Sequence, residues 1–223
     1  MEETLARSLV YFEQNWGITQ LLDYLGTLAF AISGARLASG KRIDFFGAFV
    51  VGLLTAVGGG TIRDLMLGLT PFWLLTPAYI LISFVAFLMV VLFRNHVIHM
   101  RAGLFIFDAI GLGLFTVVGI ERSLMVGHTF WVAIMMGVIT GAFGGLLRDI
   151  CLNEVPLILR KDIYAVACLI GGLVYWGLTE LGVDNVFVQL LTALVVILVR
   201  YISMRYHLSL PILEGDDHSE ASK

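Results

Sequence analysis

Long apolar stretches alternate with short polar ones along the whole chain. Most of these stretches approach the length of about 20 residues that an α-helix needs to cross the hydrocarbon core of a bilayer. The pattern predicts an all-α polytopic membrane protein with seven transmembrane helices, at approximately residues 18–38, 43–67, 73–93, 103–120, 130–152, 163–181 and 186–204. The connections between them are short, and the tail after Pro211 is polar and acidic.

The composition agrees with this interpretation. Hydrophobic residues make up 59% of the 223 residues and charged residues only 14%, against about 25% charged residues in a soluble domain. The net charge is −3 and the sequence has no basic cluster, so we expect no nucleic-acid partner. Cys151 and Cys168 have no metal-ligand spacing; we interpret both as packing residues and expect no cofactor.

A run of three glycines lies in the second apolar segment and is followed closely by two charges, in the order Gly58, Gly59, Gly60, Thr61, Ile62, Arg63 and Asp64. Each glycine destabilises a helix by about 1 kcal/mol relative to alanine, so the sequence predicts a break or kink in the second helix. Irregular backbone inside a membrane is tolerated only where protein or a water-filled cavity covers it. The charged pair beside the break is therefore a candidate functional site.

The glycine and arginine–aspartate motif occurs twice, at an offset of 85 positions. The second copy consists of Gly144, Gly145, Leu146, Leu147, Arg148 and Asp149. The same offset relates Asp23 to Asp108, Gly26 to Gly111, Phe30 to Phe115, Thr55 to Thr140, Pro71 to Pro156, and Tyr79 to Tyr164. We interpret this common register as an internal duplication. It predicts a first three-helix repeat at 18–93, a second at 103–181 and a seventh helix at 186–204, between terminal segments at 1–17 and 205–223.

The distribution of lysine and arginine predicts the orientation. With the N-terminus outside, eleven of these residues fall on the cytoplasmic side and three on the other side, which is a strong positive-inside bias. The C-terminus is then cytoplasmic. Since each repeat contains an odd number of crossings, the two repeats must be inverted relative to each other.

Broken helices in a membrane offer ligands for ions. Carbonyl oxygens that lose their amide partners at a break can replace the hydration shell of a cation. The candidates are carbonyls near Thr55 in the first repeat and near Thr140, Gly141 and Phe143 in the second, where we expect a monovalent-cation site. The hydroxyls of the two threonines are possible further ligands. The alternative is that the glycines only allow helices to pack closely.

The intramembrane charges have three possible arrangements. Neighbouring residues point about 100° apart on a helix, so we expect Arg63 and Asp64 not to pair well with each other. The first hypothesis crosses the repeats and pairs Arg63 with Asp149 and Arg148 with Asp64. The second pairs the arginines with Asp23 and Asp108, and the third lets each charge reach its nearer interface. Glu121 and Arg36 are interpreted as solvated charges near the headgroups.

The doubled motif, the three-plus-three inverted layout and the single further helix resemble the prokaryotic branch of the TRIC (trimeric intracellular cation channel) family. The resemblance covers approximately residues 22–204. It implies glycine-kinked second and fifth helices, an hourglass pore in each protomer, and a homotrimer. Animal members have Lys-Glu-Val after the second glycine motif, where this chain has Arg148, Asp149 and Ile150.

The resemblance implies a channel for monovalent cations, potassium or sodium, in the inner (plasma) membrane and in contact with its lipids. Sequences of this type also carry a domain label that suggests glycine transport, so a carrier for a small glycine-like solute is the alternative. Because the sequence has no HExxH or Gly-x-Ser-x-Gly motif, we do not expect an enzyme. The expected pathway residues are Asp23, Thr55, Gly58, Gly59, Gly60, Arg63, Asp64, Asp108, Thr140, Gly141, Gly144, Gly145, Arg148 and Asp149.

Overall fold

A computed structural model describes the backbone of residues 2–93, 103–160 and 162–211, and the side chains of 17–93, 105–160 and 162–211. The described backbone is helical and contains no strand, only an isolated bridge between Asp162 and Ser209. The eight α-helices of this part of the chain are α1 (Glu2–Ser39), α2 (Phe45–Met66), α3 (Phe72–Leu75), α4 (Ala78–Leu92), α5 (Gly103–Met125), α6 (Phe130–Cys151), α7 (Ala165–Glu180) and α8 (Asn185–Arg205). The all-α prediction is confirmed.

Among the described residues, four helices are long and apolar enough to cross a membrane: the Gly17–Ser39 part of α1, together with α2, α6 and α8. Helices α4 and α7 are apolar but have only 15 and 16 residues, respectively. Each of the two follows a short helical turn, which is α3 before α4 and a 3₁₀ turn at Leu157–Leu159 before α7. The chain is a helical membrane protein.

Prolines and caps explain where the helices differ from the predicted segments. The segment predicted at 73–93 is divided into α3 and α4, because Pro77 precedes α4 and the preceding Thr76 is extended. Helix α2 begins at Phe45 rather than 43, because the side chain of Asp44 accepts a hydrogen bond of 2.7 Å from the backbone N–H of Gly47.

The helices pack so that equivalent elements of the two sequence repeats occupy equivalent places. Helix α1 packs on α2 and α4, and α5 packs on α6 and α7. The two groups meet where α1 contacts α5 and where α2 contacts α6. Helix α8 packs on α5 and α7, beside the second group.

The glycines do not interrupt either helix, so the predicted break is wrong, whereas the predicted kink stays a prediction. Helix α2 continues through Gly58–Gly60, and α6 continues through Gly144 and Gly145. The helical cost of glycine is offset by packing, since α2 and α6 approach each other closely where their glycines lie. A Cβ atom at Gly59 would collide with the carbonyl oxygen of Thr140, and one at Gly144 would collide with that of Thr55. The glycines allow α2 and α6 to pack closely, as the alternative interpretation predicted.

Candidate functional site

The crossing of α2 and α6 closes the centre of the bundle. Gly59 of α2 lies against Thr140 of α6, and Gly144 of α6 lies against Thr55 of α2. All four residues are buried. The two threonine hydroxyls donate hydrogen bonds of 2.6 Å to the carbonyl oxygens four residues earlier in their own helices. The hydroxyl protons are therefore used within each helix in this arrangement.

Two aromatic rings fill the neighbouring crossing of α1 and α5. The ring centroids of Phe30 and Phe115 lie 5.1 Å apart in an edge-to-face arrangement. Each ring occupies the space beside a glycine of the other helix, Phe115 beside Gly26 and Phe30 beside Gly111. Phe30 also lies 3.2 Å from the position of a Cβ atom at Gly144, so it joins the two crossings into one packed centre.

The other predicted glycines pack against side chains. A Cβ atom would contact Leu147 from Gly58, Phe72 from Gly60, and the hydroxyl of Tyr164 from Gly145. At Gly141 it would lie 2.9 Å from the hydroxyl of Thr116. Phe143, predicted near the cation site, is partly buried.

A first cluster of buried charges lies at the end of α2. The Nε and Nη2 atoms of Arg63 lie 2.8 and 2.7 Å, respectively, from Oδ1 of Asp64. The second oxygen, Oδ2, accepts a hydrogen bond of 2.9 Å from the backbone N–H of Phe72, at the start of α3. The guanidinium carbon of Arg63 lies 5.5 Å from the centroid of the Phe72 ring. The carboxylate of Asp64 therefore ties the end of α2 to α3.

Asp23 of α1 lies in the same region. Its Oδ2 accepts a hydrogen bond of 2.7 Å from the hydroxyl of Tyr79, which in turn accepts one of 2.9 Å from the amide of Gln20. Nη2 of Arg122, on α5, lies 4.0 Å from the same Oδ2. The first cluster consists of Asp23, Arg63, Asp64, Tyr79 and Arg122.

A second cluster has the same plan at the end of α6. Nε of Arg148 donates a hydrogen bond of 2.8 Å to Oδ1 of Asp149. Oδ2 of Asp149 accepts a hydrogen bond of 3.0 Å from the backbone N–H of Leu157, at the start of the 3₁₀ turn. Nη1 of Arg148 donates to Oδ1 of Asp108, at 2.7 Å, and to the hydroxyl of Ser33, at 2.8 Å. Arg148 thus connects α6 to both α5 and α1.

Asp108 also interacts with Tyr164, the residue before α7, and with α8. The hydroxyl of Tyr164 donates a hydrogen bond of 3.4 Å to its Oδ1. Nη2 of Arg200, on α8, lies 3.9 Å from its Oδ2. The second cluster consists of Asp108, Arg148, Asp149, Tyr164 and Arg200, and its first four members are offset by 85 positions from Asp23, Arg63, Asp64 and Tyr79.

Each cluster borders a cavity. The Asp64 cavity, of about 400 Å³, is lined by Gln20, Asp64, Leu69, Thr70, Phe72, Leu75, Thr76, Tyr79 and Arg122. The Asp108 cavity, of about 370 Å³, is lined by Phe105, Asp108, Arg148, Leu157, Asp162, Arg200, Ser203, Met204, His207, Leu208 and Ser209. Phe105 and Arg122 lie 17 positions apart on α5, or roughly 25 Å along the helix. The two cavities therefore lie at opposite ends of the bundle, with the packed centre between them.

The geometry corrects the predicted ion pairs. Arg63 and Asp64 do pair as neighbours, and so do Arg148 and Asp149, because the long arginine side chain folds back along the helix to reach the adjacent carboxylate. The crossed pairs between the repeats are wrong. The pairing of Arg148 with Asp108 is confirmed. The interfacial alternative is also wrong, since the side chains of Arg63 and Arg148 are only 1% exposed.

Several residues of the site were missed by the sequence analysis. Tyr79 and Tyr164 were visible only as one pair among many in the duplication. Arg122 and Arg200 belong to no sequence motif.

Two charges that were expected to be solvated are buried. Glu121 is fully buried, and its carboxylate accepts hydrogen bonds of 2.6 Å from Tyr175 and 2.7 Å from Gln189. Arg36 is also buried.

The chemistry of the site is that of charge and hydrogen bonding. Within the described ranges, no group of three histidine, cysteine or acidic residues is placed to hold a metal ion. Cys151 is exposed and Cys168 is buried, both as free thiols. Two buried cation–carboxylate clusters facing cavities at opposite ends suit the passage or binding of small charged solutes.

Comparisons with known proteins give consistent results. A family model described as "Glycine transporter" matches the chain twice, at residues 20–95 and 105–180. The UPF0126 inner membrane protein YadS of Escherichia coli (strain K12) is 40% identical over 200 residues, which cover 88% of this chain and 97% of that protein. A UPF0126 membrane protein of Vibrio cholerae is 37% identical over 212 residues, covering 94% of this chain and 85% of that protein.

Solved structures are similar over nearly the same range. A TRIC trimeric intracellular cation channel orthologue from Rhodobacter sphaeroides aligns with a TM-score of 0.81 and 39% identity, covering 86% of this chain and 99% of that chain. A prokaryotic TRIC channel crystallised in 0.5 M KCl aligns with a TM-score of 0.80 and 31% identity, covering 87% of this chain and 100% of that chain.

Proposed function

The chain belongs to the TRIC-like family of membrane proteins that the glycine-transporter model describes, and on this premise we propose that it is a monovalent-cation channel. The observation that carries the proposal is the pair of cavities at opposite ends of the bundle, each ending on a buried arginine–aspartate cluster. A cation would enter through one cavity, pass the crossing of α2 and α6, and leave through the other. Potassium and sodium are the expected ions.

The proposed gate is the crossing of α2 and α6. In the arrangement described above it is closed, because Gly59 and Gly144 lie in contact with the opposite helix. Opening requires the two helices to separate or bend, and the glycines are the positions where an α-helix bends most easily. Carbonyl oxygens freed near Thr140, Gly141 and Phe143 would then face the pathway. Those oxygens would select cations, since the charges of each arginine–aspartate cluster largely cancel.

The proposed topology has seven crossings in two inverted repeats, formed by α1, α2 and α4 and by α5, α6 and α7, with α8 as the seventh. The matching contacts of Asp64 with Phe72 and of Asp149 with Leu157 support this arrangement, because the same bond recurs 85 positions later. The excess of lysine and arginine on one side supports an N-terminus outside and a cytoplasmic C-terminus.

We propose that three chains assemble, as in the trimeric intracellular cation channel orthologue that resembles this one. Large apolar side chains on the outer surface are available for lipid and for a partner chain, among them Leu81, Trp131, Leu173 and Leu191. Each protomer would contain its own pathway, since both cavities and the crossing lie within one chain.

A carrier for a small glycine-like solute is the second candidate. The description of the matching family model favours it, and a closed centre between two cavities is also compatible with alternating access. Vesicles containing the purified protein distinguish the two functions. A channel dissipates a potassium gradient quickly without added solute, whereas a carrier takes up labelled glycine in a saturable way and leaves the potassium gradient in place. The second result would overturn the channel proposal.

A further inference from the structure

We propose that the segment after α8, residues 206–211, is a strap that covers the Asp108 cavity and moves aside before a solute passes on that side. The strap belongs to neither sequence repeat. Its control of access to the cavity is independent of the solute, whereas its control of an ion current rests on the proposed channel function.

The strap forms part of the wall of the Asp108 cavity. His207, Leu208 and Ser209 line the cavity, as does Asp162 from the segment before α7. The same three strap residues are exposed. A single layer of chain therefore separates this part of the cavity from the surroundings of the protein, and displacing that layer would open the cavity.

The strap begins at a turn that ends α8. The backbone N–H of Leu208 donates a hydrogen bond of 2.9 Å to the carbonyl oxygen of Ser203, and the hydroxyl of Ser203 donates one of 3.1 Å to the carbonyl oxygen of Leu208. His207, inside this turn, has a φ angle of 53°, in the left-handed region that glycine usually occupies at a helix end. Because a residue with a Cβ atom is strained there, the turn at His207 is the position about which we expect the strap to move.

A single backbone bridge holds the strap further along. Ser209 pairs with Asp162 in an isolated antiparallel bridge, which no strand extends in the described part of the chain. Residues 206–211 are all exposed, so the strap buries little side-chain surface. Segments with few buried contacts open locally at a small cost in free energy. One turn and one bridge thus hold the strap closed.

The other end of the bundle differs. Among the described residues, the lining of the Asp64 cavity comes from the first repeat, at 18–93, except for Arg122 of α5. The strap follows α8, which has no counterpart in the duplication. Two otherwise matched ends therefore differ in this cover, and the strap regulates access on the Asp108 side alone.

Releasing the strap should expose the Asp108 cavity to a small thiol reagent. The reporter is Leu157→Cys, at a position that lines the cavity, in a Cys151→Ala background that removes the exposed native thiol. Leu208→Pro removes the N–H that bonds to Ser203 and disfavours the turn at the preceding residue. The reporter should then react about two- to ten-fold faster, the factor that corresponds to the loss of one hydrogen bond.

Val183→Pro is the matched control. The N–H of Val183 donates a hydrogen bond of 3.1 Å to the carbonyl oxygen of Leu178, in a turn of the same kind at the end of α7. Since α7 starts beside the Asp108 cavity, this turn lies at the opposite end of the bundle, and the variant should leave the reaction rate of the reporter unchanged. Equal rates with the native strap and in Leu208→Pro, or equal acceleration in both proline variants, would overturn the proposal.

Locking the strap should close the pathway. Residues that face each other in an antiparallel pair have Cα atoms about 4.5–5.5 Å apart, a separation that a disulfide spans. In the Cys151→Ala background, Asp162→Cys combined with Ser209→Cys should therefore form a disulfide on oxidation. The potassium current of the double variant should then be largely lost and should return on reduction. In each single-cysteine variant, oxidation and reduction should make no difference to the current.

The outcomes separate the strap from the channel. A current that persists in the oxidised double variant, or a disulfide that does not form, would overturn the strap as a cover even where Leu208→Pro fails to assemble. If the wild type carries no current, the channel proposal falls, while the reaction rates of the reporter still decide whether the strap covers the cavity.

Discussion

Gly59 of α2 lies so close to the carbonyl oxygen of Thr140 in α6 that a methyl group at that position would overlap it. The same relationship holds in reverse for Gly144 and Thr55. The two cavities are separated at this crossing, and the proposed gate depends on it. Its glycines are therefore the first residues to test.

Alanine at the crossing should prevent close approach of the two helices. For Gly59→Ala and Gly144→Ala we expect a marked loss of folded, assembled protein, because the added methyl group meets backbone atoms that cannot move aside. The cost should be roughly 1–3 kcal/mol, as for other overpacked sites. Thermal stability in detergent and membrane yield provide the measurement.

Gly177→Ala is the matched control, since Gly177 also lies within a helix but has no atom within 4 Å of an added Cβ. There alanine should stabilise α7 slightly, by at most about 1 kcal/mol. Equal effects at Gly177 and Gly59 would mean that the close crossing does not constrain α2 and α6.

The Arg148–Asp108 pair should show strong coupling. Arg148→Met alone leaves the carboxylate of Asp108 with only the more distant Arg200 as an ion-pair partner. Asp108→Asn alone removes one of the carboxylates that pair with the Arg148 guanidinium. Each variant should therefore be strongly destabilising, by about 3–5 kcal/mol. The double variant should recover part of the loss, because it removes the charge that the single variant leaves uncompensated. Stability of all three variants in detergent gives the coupling energy.

Lys41 and Glu154 form a matched control pair at the surface, where both side chains are more than a third exposed. Lys41→Met and Glu154→Gln should change stability little and should be nearly additive, because solvent screens an exposed ion pair. Additivity in the Arg148–Asp108 pair as well would contradict the buried network.

The two tyrosines should differ in a predictable order. Tyr79→Phe removes a hydroxyl that donates to Asp23 at 2.7 Å, whereas Tyr164→Phe removes one that lies 3.4 Å from Asp108. A hydrogen bond to a charged group contributes about 1.5–3 kcal/mol to stability. Tyr79→Phe should therefore lower the free energy of unfolding clearly more than Tyr164→Phe does. Unfolding in a denaturant series measures both, and the reverse order would contradict the geometry of the clusters.

Cysteine labelling tests the proposed topology. In a Cys151→Ala background, which removes the exposed native thiol, Arg42→Cys should be protected from an impermeant external reagent and His128→Cys should react. Both positions are exposed, so burial does not confuse the result. Reactivity at 42 with protection at 128 would reverse the orientation.

Much of the architecture follows from the sequence alone. The apolar runs predicted where the long helices lie. The offset of 85 positions identified residue pairs that the structure places in equivalent clusters, such as Asp23 and Asp108. These signals are local or periodic. Helix propensity also predicted breaks at Gly58–Gly60, but tertiary contact overrode it, because the glycines allow α2 and α6 to touch.

The partners of the charges could not be predicted in this way. A difference of about 100° in direction suggested that Arg63 could not reach Asp64, yet a flexible arginine side chain covers that angle. Arg200 belongs to no repeat and no motif, and only the packing of α8 on α5 and α7 brings it to Asp108. Glu121 was interpreted as an interfacial charge, because its hydrogen-bond partner Gln189 lies 68 positions away in the sequence and no local pattern connects the two.

Single-channel recording of the wild-type protein in a planar bilayer tests the central claim most directly. With a potassium gradient across the bilayer, we expect discrete unitary currents that reverse near the potassium equilibrium potential and persist when glycine is added to both sides. Replacing potassium by a large organic cation should abolish them. A silent bilayer, together with saturable glycine uptake by the same preparation, would contradict the channel and establish the carrier.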